Sequence, residues 1–181
     1  MDTPDKLQKG FTLVELITVM TIVLFLASML FANYHSGNSE LSLELATNQV
    51  AYDIRSVQEM GMSSPQVPNG SGGYIPDDQV SGYGVHFKKG DQSYVIFSDT
   101  SGTHQYQAGG NANAKTINMD SNFYIKSVDT DNLSLVFLPP EPSTYINGQT
   151  LTLATITIAS KSDPSLTRSI IVKKSGLIYV Q

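Results

Sequence analysis

The 181-residue sequence predicts an α+β fold in which a long N-terminal helix, partly of membrane-spanning character, packs on an antiparallel β-sheet domain. Three features predict it. No charged residue lies between Glu15 and Glu40, and the run from Phe11 to Ala32 is apolar apart from Glu15 and a few hydroxyls. Leu43, Ala46, Val50, Ile54, Val57 and Gly61 then recur at spacings of three and four, the pattern of a helix with one buried face. Beyond Gly82, short stretches of alternating apolar and polar residues alternate with clusters of Gly, Pro, Asn and Asp, as strands and turns do.

The apolar run has the length to cross a bilayer: its residues at ~1.5 Å rise give roughly 33 Å. It contains no Gly or Pro, and Thr12, Thr18, Thr21 and Ser28 can return their hydroxyls to the helix backbone. Lys6 and Lys9 precede it and no positive charge follows closely, which keeps the start cytoplasmic and sends the remainder outward. Phe31-Ala32-Asn33-Tyr34 at its end is a poor site for a signal peptidase, so the helix stays with the chain. Residues 33–64 carry the amphipathic continuation, with a weak point for a bend at Ser36-Gly37-Asn38-Ser39 and a stop at Ser63-Ser64-Pro65. A continuous helix from Phe11 to Ser63 would be about 80 Å long.

The outer part, residues 65–181, reads as a loop from Pro65 to Gly82 followed by strands. Tyr83, Val85 and Phe87 alternate on one face, Lys88 to Gln92 turns the chain, and Tyr94 to Phe97 completes a hairpin. Further strands are expected at Phe123–Val128, Leu133–Leu138, Leu151–Ala159, Thr167–Lys173 and Leu177–Val180, with a break at Pro139-Pro140-Glu141-Pro142. Ser101 to Ala114, low in apolar residues, reads as a mobile loop.

Composition excludes several functions. Charged residues are 15% against a usual ~25%, and Ser and Thr number 36, so the surface is mostly neutral hydroxyl and amide. A net charge of -5 and scattered Lys and Arg argue against a nucleic-acid binder. Zero cysteines exclude disulfides, thiolate metal sites and a cysteine nucleophile.

Glu15 is the anomaly. A carboxylate at membrane depth costs several kcal/mol unless it is neutral, interfacial or paired. A cut between Gly10 and Phe11 would create an α-amino group about one helical turn before Glu15. That amine could neutralise Glu15 within its own chain, or face the Glu15 of a neighbour in a parallel stack and fix axial register.

Lys9-Gly10-Phe11-Thr12-Leu13-Val14-Glu15-Leu16, followed by the apolar run, resembles the class III signal of type IV prepilins and type II secretion pseudopilins. The resemblance implies a type IV pilin-like fold. It makes residues 1–10 a leader peptide carrying Lys6 and Lys9, residues 11–32 the transmembrane and assembly helix, and residues 33–64 its continuation into the outer domain. Cleavage by a prepilin peptidase after Gly10, N-methylation of Phe11 and an assembly role for Glu15 follow by the same resemblance. So do the partners, which are the peptidase/methylase, other pilins or pseudopilins and an inner-membrane assembly platform, and a location in the bacterial inner membrane before entry into a pilus or pseudopilus. Gly82-Tyr83-Gly84-Val85-His86-Phe87, Tyr94-Val95-Ile96-Phe97-Ser98-Asp99, Arg168-Ser169-Ile170-Ile171-Val172 and Gly176-Leu177-Ile178 are similar to the pattern of GspH/FimT-type minor pseudopilins. The absence of a proline within the apolar helix and of a C-terminal cysteine pair points to a minor subunit.

The remaining candidates for chemistry are weaker than their bland readings. His35, His86 and His104 have no metal-ligand spacing. Asp99 and His104 with Ser98, Ser101 or Ser121 can be assembled into a triad on paper only, since there is no nucleophile elbow. Asp129-Thr130-Asp131-Asn132 reads as a turn before a calcium loop, and Gly70-Ser71-Gly72-Gly73 as a flexible turn. Arg168, Lys173 and Lys174 are the only residues on which a DNA-uptake role could rest, and sheet-edge charge explains them better. The reading is thus a structural subunit without enzymatic activity or cofactor. The rivals are a DNA-capturing or adhesive minor pilin using the same anchor, and a membrane-tethered enzyme, for which the sequence offers no clustered site.

Overall fold

The computed structural model describes residues 10–139, 144–149 and 151–181, and between residues 31 and 38 only the helical backbone. The chain divides into two compact units, Met1–Ser39 and Glu40–Gln181. One helix, α1 (Leu13–Ser63), contributes to both. Its helical backbone continues through Ser36–Ser39, where the sequence suggested a bend; a lone Gly37 costs only ~1 kcal/mol in a helix this long. The stop is as expected. Ser64 adopts φ +44° and donates its N–H to the Met60 carbonyl (2.9 Å), a left-handed cap that Pro65 follows.

In the second unit Leu43, Thr47, Val50, Ile54, Val57 and Gly61 form the buried stripe of α1, alternating steps of four and three. Thr47 takes the place expected of Ala46. Its hydroxyl is tolerated there because it donates to the Leu43 carbonyl (2.8 Å). Gly61 is needed for close approach: a Cβ there would lie 2.9 Å from Phe137 Cβ and 3.1 Å from the Phe137 carbonyl oxygen.

The strands form two main antiparallel sheets rather than one. In chain order they are β1 (Val67–Pro68), β2 (Tyr74–Ile75), β3 (Gly82–Lys88), β4 (Ser93–Asp99), β5 (Ala112–Asn118), β6 (Phe123–Val128), β7 (Asn132–Phe137), β8 (Thr144–Ile146), β9 (Leu153–Ser160), β10 (Thr167–Lys173) and β11 (Ile178–Val180). One sheet runs β5-β4-β3-β7-β8 and the other β11-β10-β9-β6, while β1 and β2 pair alone. A single apolar core joins the α1 stripe to Tyr83, Val85, Phe87, Leu133 and Leu135 of the first sheet and to Ile125, Ile156, Ile158, Ile170 and Val172 of the second. Polar ties accompany it. Arg55 Nη2 and Gln58 Nε2 donate to the carbonyls of Ile178 (3.1 Å) and Gly176 (3.0 Å), and the Tyr94 hydroxyl donates to the Asp53 carboxylate. Burial, reinforced by Asp53, holds the Tyr94 phenol far above its ordinary range.

The hairpin, β6 and β10 lie where the sequence puts them. Three expectations are corrected. Pro65 to Gly82 contains the β1–β2 pair and a turn of 3-10 helix at Asp77–Gln79. Ala112 onward is strand β5, missed because its polar residues do not alternate with apolar ones; β8 was also missed, and residues 140–142 of the expected break lie outside the described residues. The segment from Ser101 to Asn111 is no free loop but the cover of the first sheet's outer face. Asp99, fully buried at the end of β4, accepts hydrogen bonds from the N–H groups of Ser101 (3.0 Å), Gly102 (3.1 Å) and His104 (2.9 Å) and from the Ser101 hydroxyl (2.8 Å). Tyr106 folds over Phe97 and stacks on His86, with ring centroids 5.3 and 4.7 Å away, and its N–H donates to Ser134 Oγ (3.1 Å).

Two outcomes are expected from this cover. Asp99→Ala removes the buried acceptor of three N–H groups, so it should lower unfolding stability by about 3 kcal/mol and admit protease between residues 100 and 111, with Asp99→Asn affected less. Native-like resistance of Asp99→Ala to limited proteolysis would refute that role. The His86 imidazole is held below its ordinary 6.5 by burial, which Asp91 opposes and Lys88 reinforces. The unfolded chain therefore takes up a proton at His86 near pH 6.5 while the folded chain does not. Stability contributed by neutral His86 is complete above that pH and declines as pH falls toward the lowered folded value. Urea midpoints of the detergent-solubilised chain should fall across this window, and less steeply in His86→Gln.

Candidate functional site

The polar clusters of the outer unit are occupied with structure. Ser101 Oγ donates to Asp99 rather than to a histidine. His104 Nδ1 lies 3.3 Å from Asp99 Oδ2 yet makes no hydrogen bond, so the serine, histidine and acid are in the wrong order for nucleophile activation. Asp129 accepts the Thr155 N–H (2.9 Å) and Asp131 sits 3.9 Å from Lys89, which makes their segment a pinned turn. No group of three or more His, Asp or Glu side chains that could hold a metal occurs among the described residues. Gly70 to Gly73 wraps Asn69, whose Oδ1 accepts the N–H groups of Ser71 (2.9 Å) and Gly73 (3.0 Å). A groove of about 420 Å³ between α1 and β5 is floored by Met60, Val67, Ile96 and Ile117, with no nucleophile beside a base.

Arg168 and Lys173 do not form a patch. In β10, Arg168 stands opposite the buried Ile158 and pairs with Glu40 of α1 (3.2 Å), while Lys173 stands opposite the exposed Leu153 with its ammonium 5.7 Å from the Tyr179 ring centroid. Their odd separation sends them to opposite faces of the sheet. Lys174 follows the strand.

The first unit is different in kind. Gly10, Phe11 and Thr12 are exposed and non-helical, and α1 opens at Leu13. Thr12 is the N-cap: its carbonyl accepts the Leu16 N–H (3.1 Å) and its hydroxyl accepts the Glu15 N–H (3.2 Å). Thr-x-x-Glu is the sequence pattern of a capping box, a signal available in the sequence and not drawn from it. Leu13–Leu30 has mean hydropathy 2.4 and none of it is buried. Its hydroxyls are silenced within the helix, Thr18 donating to the Glu15 carbonyl (2.9 Å), Thr21 to that of Ile17 (2.5 Å) and Ser28 to that of Phe25 (2.7 Å). Among the described residues no partner meets the Glu15 carboxylate. Lys6 and Lys9 lie outside the described residues, as does the leader apart from Gly10.

The first unit offers an exposed, non-helical Gly10–Phe11 bond next to a capped helix, and then eighteen residues of apolar surface with one acid in the first turn.

Residues 5–31 match the family of the prokaryotic N-terminal methylation motif. No curated protein and no solved structure matches the chain. The motif supports a type IV pilin-like or pseudopilin subunit, a family of structural subunits rather than enzymes, and implies processing by a prepilin peptidase and assembly with other pilins. The apolar helix is consistent with membrane anchoring.

Anchoring by this helix predicts that two carboxylates at its centre, Ile22→Asp with Leu26→Asp, each costing ~3 kcal/mol at mid-membrane, release the chain from the membrane pellet on carbonate extraction. Retention at the unaltered level would show that another segment holds it.

Proposed function

We propose that the chain is a minor pilin or pseudopilin. It is inserted with its start in the cytoplasm and its outer domain across the inner membrane, trimmed between Gly10 and Phe11, methylated on Phe11, and moved from the bilayer into a pilus or secretion pseudopilus. The supporting observation is the coincidence, within the matched residues 5–31, of an exposed non-helical Gly10–Phe11 with a helix that starts two residues later and stays apolar for eighteen. A peptidase acts on extended backbone, and glycine leaves that backbone unshielded and averse to helix.

Glu15 then has a function in place of a penalty. Once the leader is gone, the Phe11 amine and the Glu15 carboxylate are an opposite pair about one helical turn apart along one helix, or between two helices shifted by that much. An ion pair in a dry helix bundle is sensitive to its geometry, so it specifies axial position better than apolar contacts that tolerate sliding. The leader charge of Lys6 and Lys9 keeps the start inside until cleavage. DNA capture has no support in the placement of Arg168 and Lys173 on opposite faces.

Intact-mass measurement tests the reading. The mature chain should begin at Phe11 with one added methyl, and Gly10→Val should accumulate at the full precursor mass. Normal trimming of Gly10→Val, or a mature terminus elsewhere, would overturn the assignment.

A further inference from the structure

We propose that Asn69–Gly70 is a site of self-modification: the loop between β1 and β2 promotes closure of the Asn69 side chain onto the Gly70 backbone nitrogen, and water then converts the asparagine to aspartate or isoaspartate. The site is independent of trimming and assembly. The chain has two Asn-Gly pairs, Asn69-Gly70 and Asn147-Gly148, and their surroundings are opposite.

At Asn69 the reacting groups are free and the carbonyl is activated. Oδ1 accepts the N–H groups of Ser71 (2.9 Å) and Gly73 (3.0 Å), two donors converging on the oxygen that becomes negative when the side-chain carbonyl is attacked. The residue itself is held in place, its N–H donating to the Gly73 carbonyl (3.0 Å). The nucleophile is open. Gly70 is exposed at φ +77°, nothing would lie within 4 Å of a Cβ there, and among the described residues its N–H meets no acceptor. The leaving nitrogen Nδ2 likewise makes no hydrogen bond among the described residues, and a Cβ on Gly73 would come within 2.9 Å of it, so glycine at 73 makes room for the amide. Asn147 is half-buried and its leaving nitrogen is tied down. Its Nδ2 donates to Thr130 Oγ1 (2.9 Å) and to the Asn132 carbonyl (3.1 Å), so departure of ammonia there breaks two hydrogen bonds. Its Oδ1 has a single backbone donor, the Ser134 N–H (2.7 Å).

The reaction balances with water alone. The Gly70 nitrogen gives its proton to solvent base and bonds to Asn69 Cγ; the Cγ–Nδ2 bond breaks, and ammonia leaves with a proton from solvent, closing a cyclic imide. Water opens the imide at Cγ to give aspartate, or at the Asn69 backbone carbonyl to give isoaspartate, whose main chain runs through the side-chain methylene. Between Glu59 and Asp77 the sequence carries no charge, so conversion places a carboxylate in a neutral loop. There the N–H groups of Ser71 and Gly73 already stand as donors to it in the aspartate product.

The test incubates the detergent-solubilised full chain, folded and in parallel unfolded in urea, at mildly alkaline pH, and peptide mass mapping follows the exchange of NH for O at both asparagines. In urea the two should convert at similar rates. In the folded chain Asn69 should convert at least about tenfold faster than Asn147. Ser71→Pro removes one donor and should slow Asn69 by about tenfold in the folded chain but not in urea, the factor one hydrogen bond supplies. Ser71→Ala keeps the N–H and should match the unaltered chain. Asn147 reports on folding in each variant. Should it become reactive in Ser71→Pro, Gly73→Ala decides instead, since its Cβ displaces the Asn69 amide from the donors and should slow Asn69 to a similar degree. Equal rates at the two asparagines of the folded chain would overturn the proposal. So would an Asn69 rate that the deciding variant leaves unchanged, which would mark an ordinary Asn-Gly pair that the loop does not assist.

Discussion

The constraint on which the rest depends is an apolar helix surface that the chain does not cover. Thirteen large apolar side chains between Leu13 and Leu30 are exposed. At ~1.5–3 kcal/mol each, leaving them in water forfeits roughly 20–40 kcal/mol, more than the whole stability of an ordinary domain. Only two surroundings supply that much apolar contact, a bilayer or the same kind of helix on other chains. The segment suits both. Its hydroxyls are bonded back to carbonyls within the helix, which removes the polar groups that lipid would reject, and the absence of Gly and Pro keeps its backbone fully paired. A helix competent in both media can be transferred from one to the other without refolding.

The same helix serves a second purpose beyond Glu40, and there its requirements reverse. One apolar stripe is satisfied inside the chain by strands of both sheets, while Leu41, Leu45 and Tyr52 stay exposed. Interaction with Phe137 is so close that position 61 must be glycine. Charge enters at the same point, with Glu40 held by Arg168, Asp53 by Tyr94 and Arg55 by the Ile178 carbonyl. These contacts tie α1 to its own strands.

Legibility of the sequence followed from how strong and how local each signal was. The span, the buried stripe and strands such as β6 and β10 are legible because burial imposes a period on apolar residues. What escaped was held by polar groups. β5 reads Ala-Asn-Ala-Lys-Thr-Ile-Asn, an edge strand whose pairing with β4 comes from backbone hydrogen bonds that leave no apolar pattern. The cover over residues 101–111 is organised by one buried carboxylate, Asp99, whose partners are mostly N–H groups and therefore invisible in residue identities. The division into two sheets depends on which strands meet around the core, and no spacing encodes that. At the N-terminus the residues of the candidate site were legible by type, while the cap at Thr12 required coordinates to be seen as a bond.

The electrostatics at the start of α1 decide which partner the acid prefers. A helix presents about half a positive charge at its N-terminus, so Glu15 in the first turn is stabilised by its own helix and an α-ammonium at Phe11 is destabilised by it. Cleavage on the proposed reading therefore creates a cation at the place least favourable to it on an isolated chain. On the proposed reading, two such starts placed side by side, one shifted by about a turn, offset this by bringing the amine of one chain to the carboxylate of the other. The uncut chain has no amine at that place, and its acid can gain nothing from a neighbour. On the proposed reading, trimming converts a helix that is stable alone in lipid into one that is more stable in register with others.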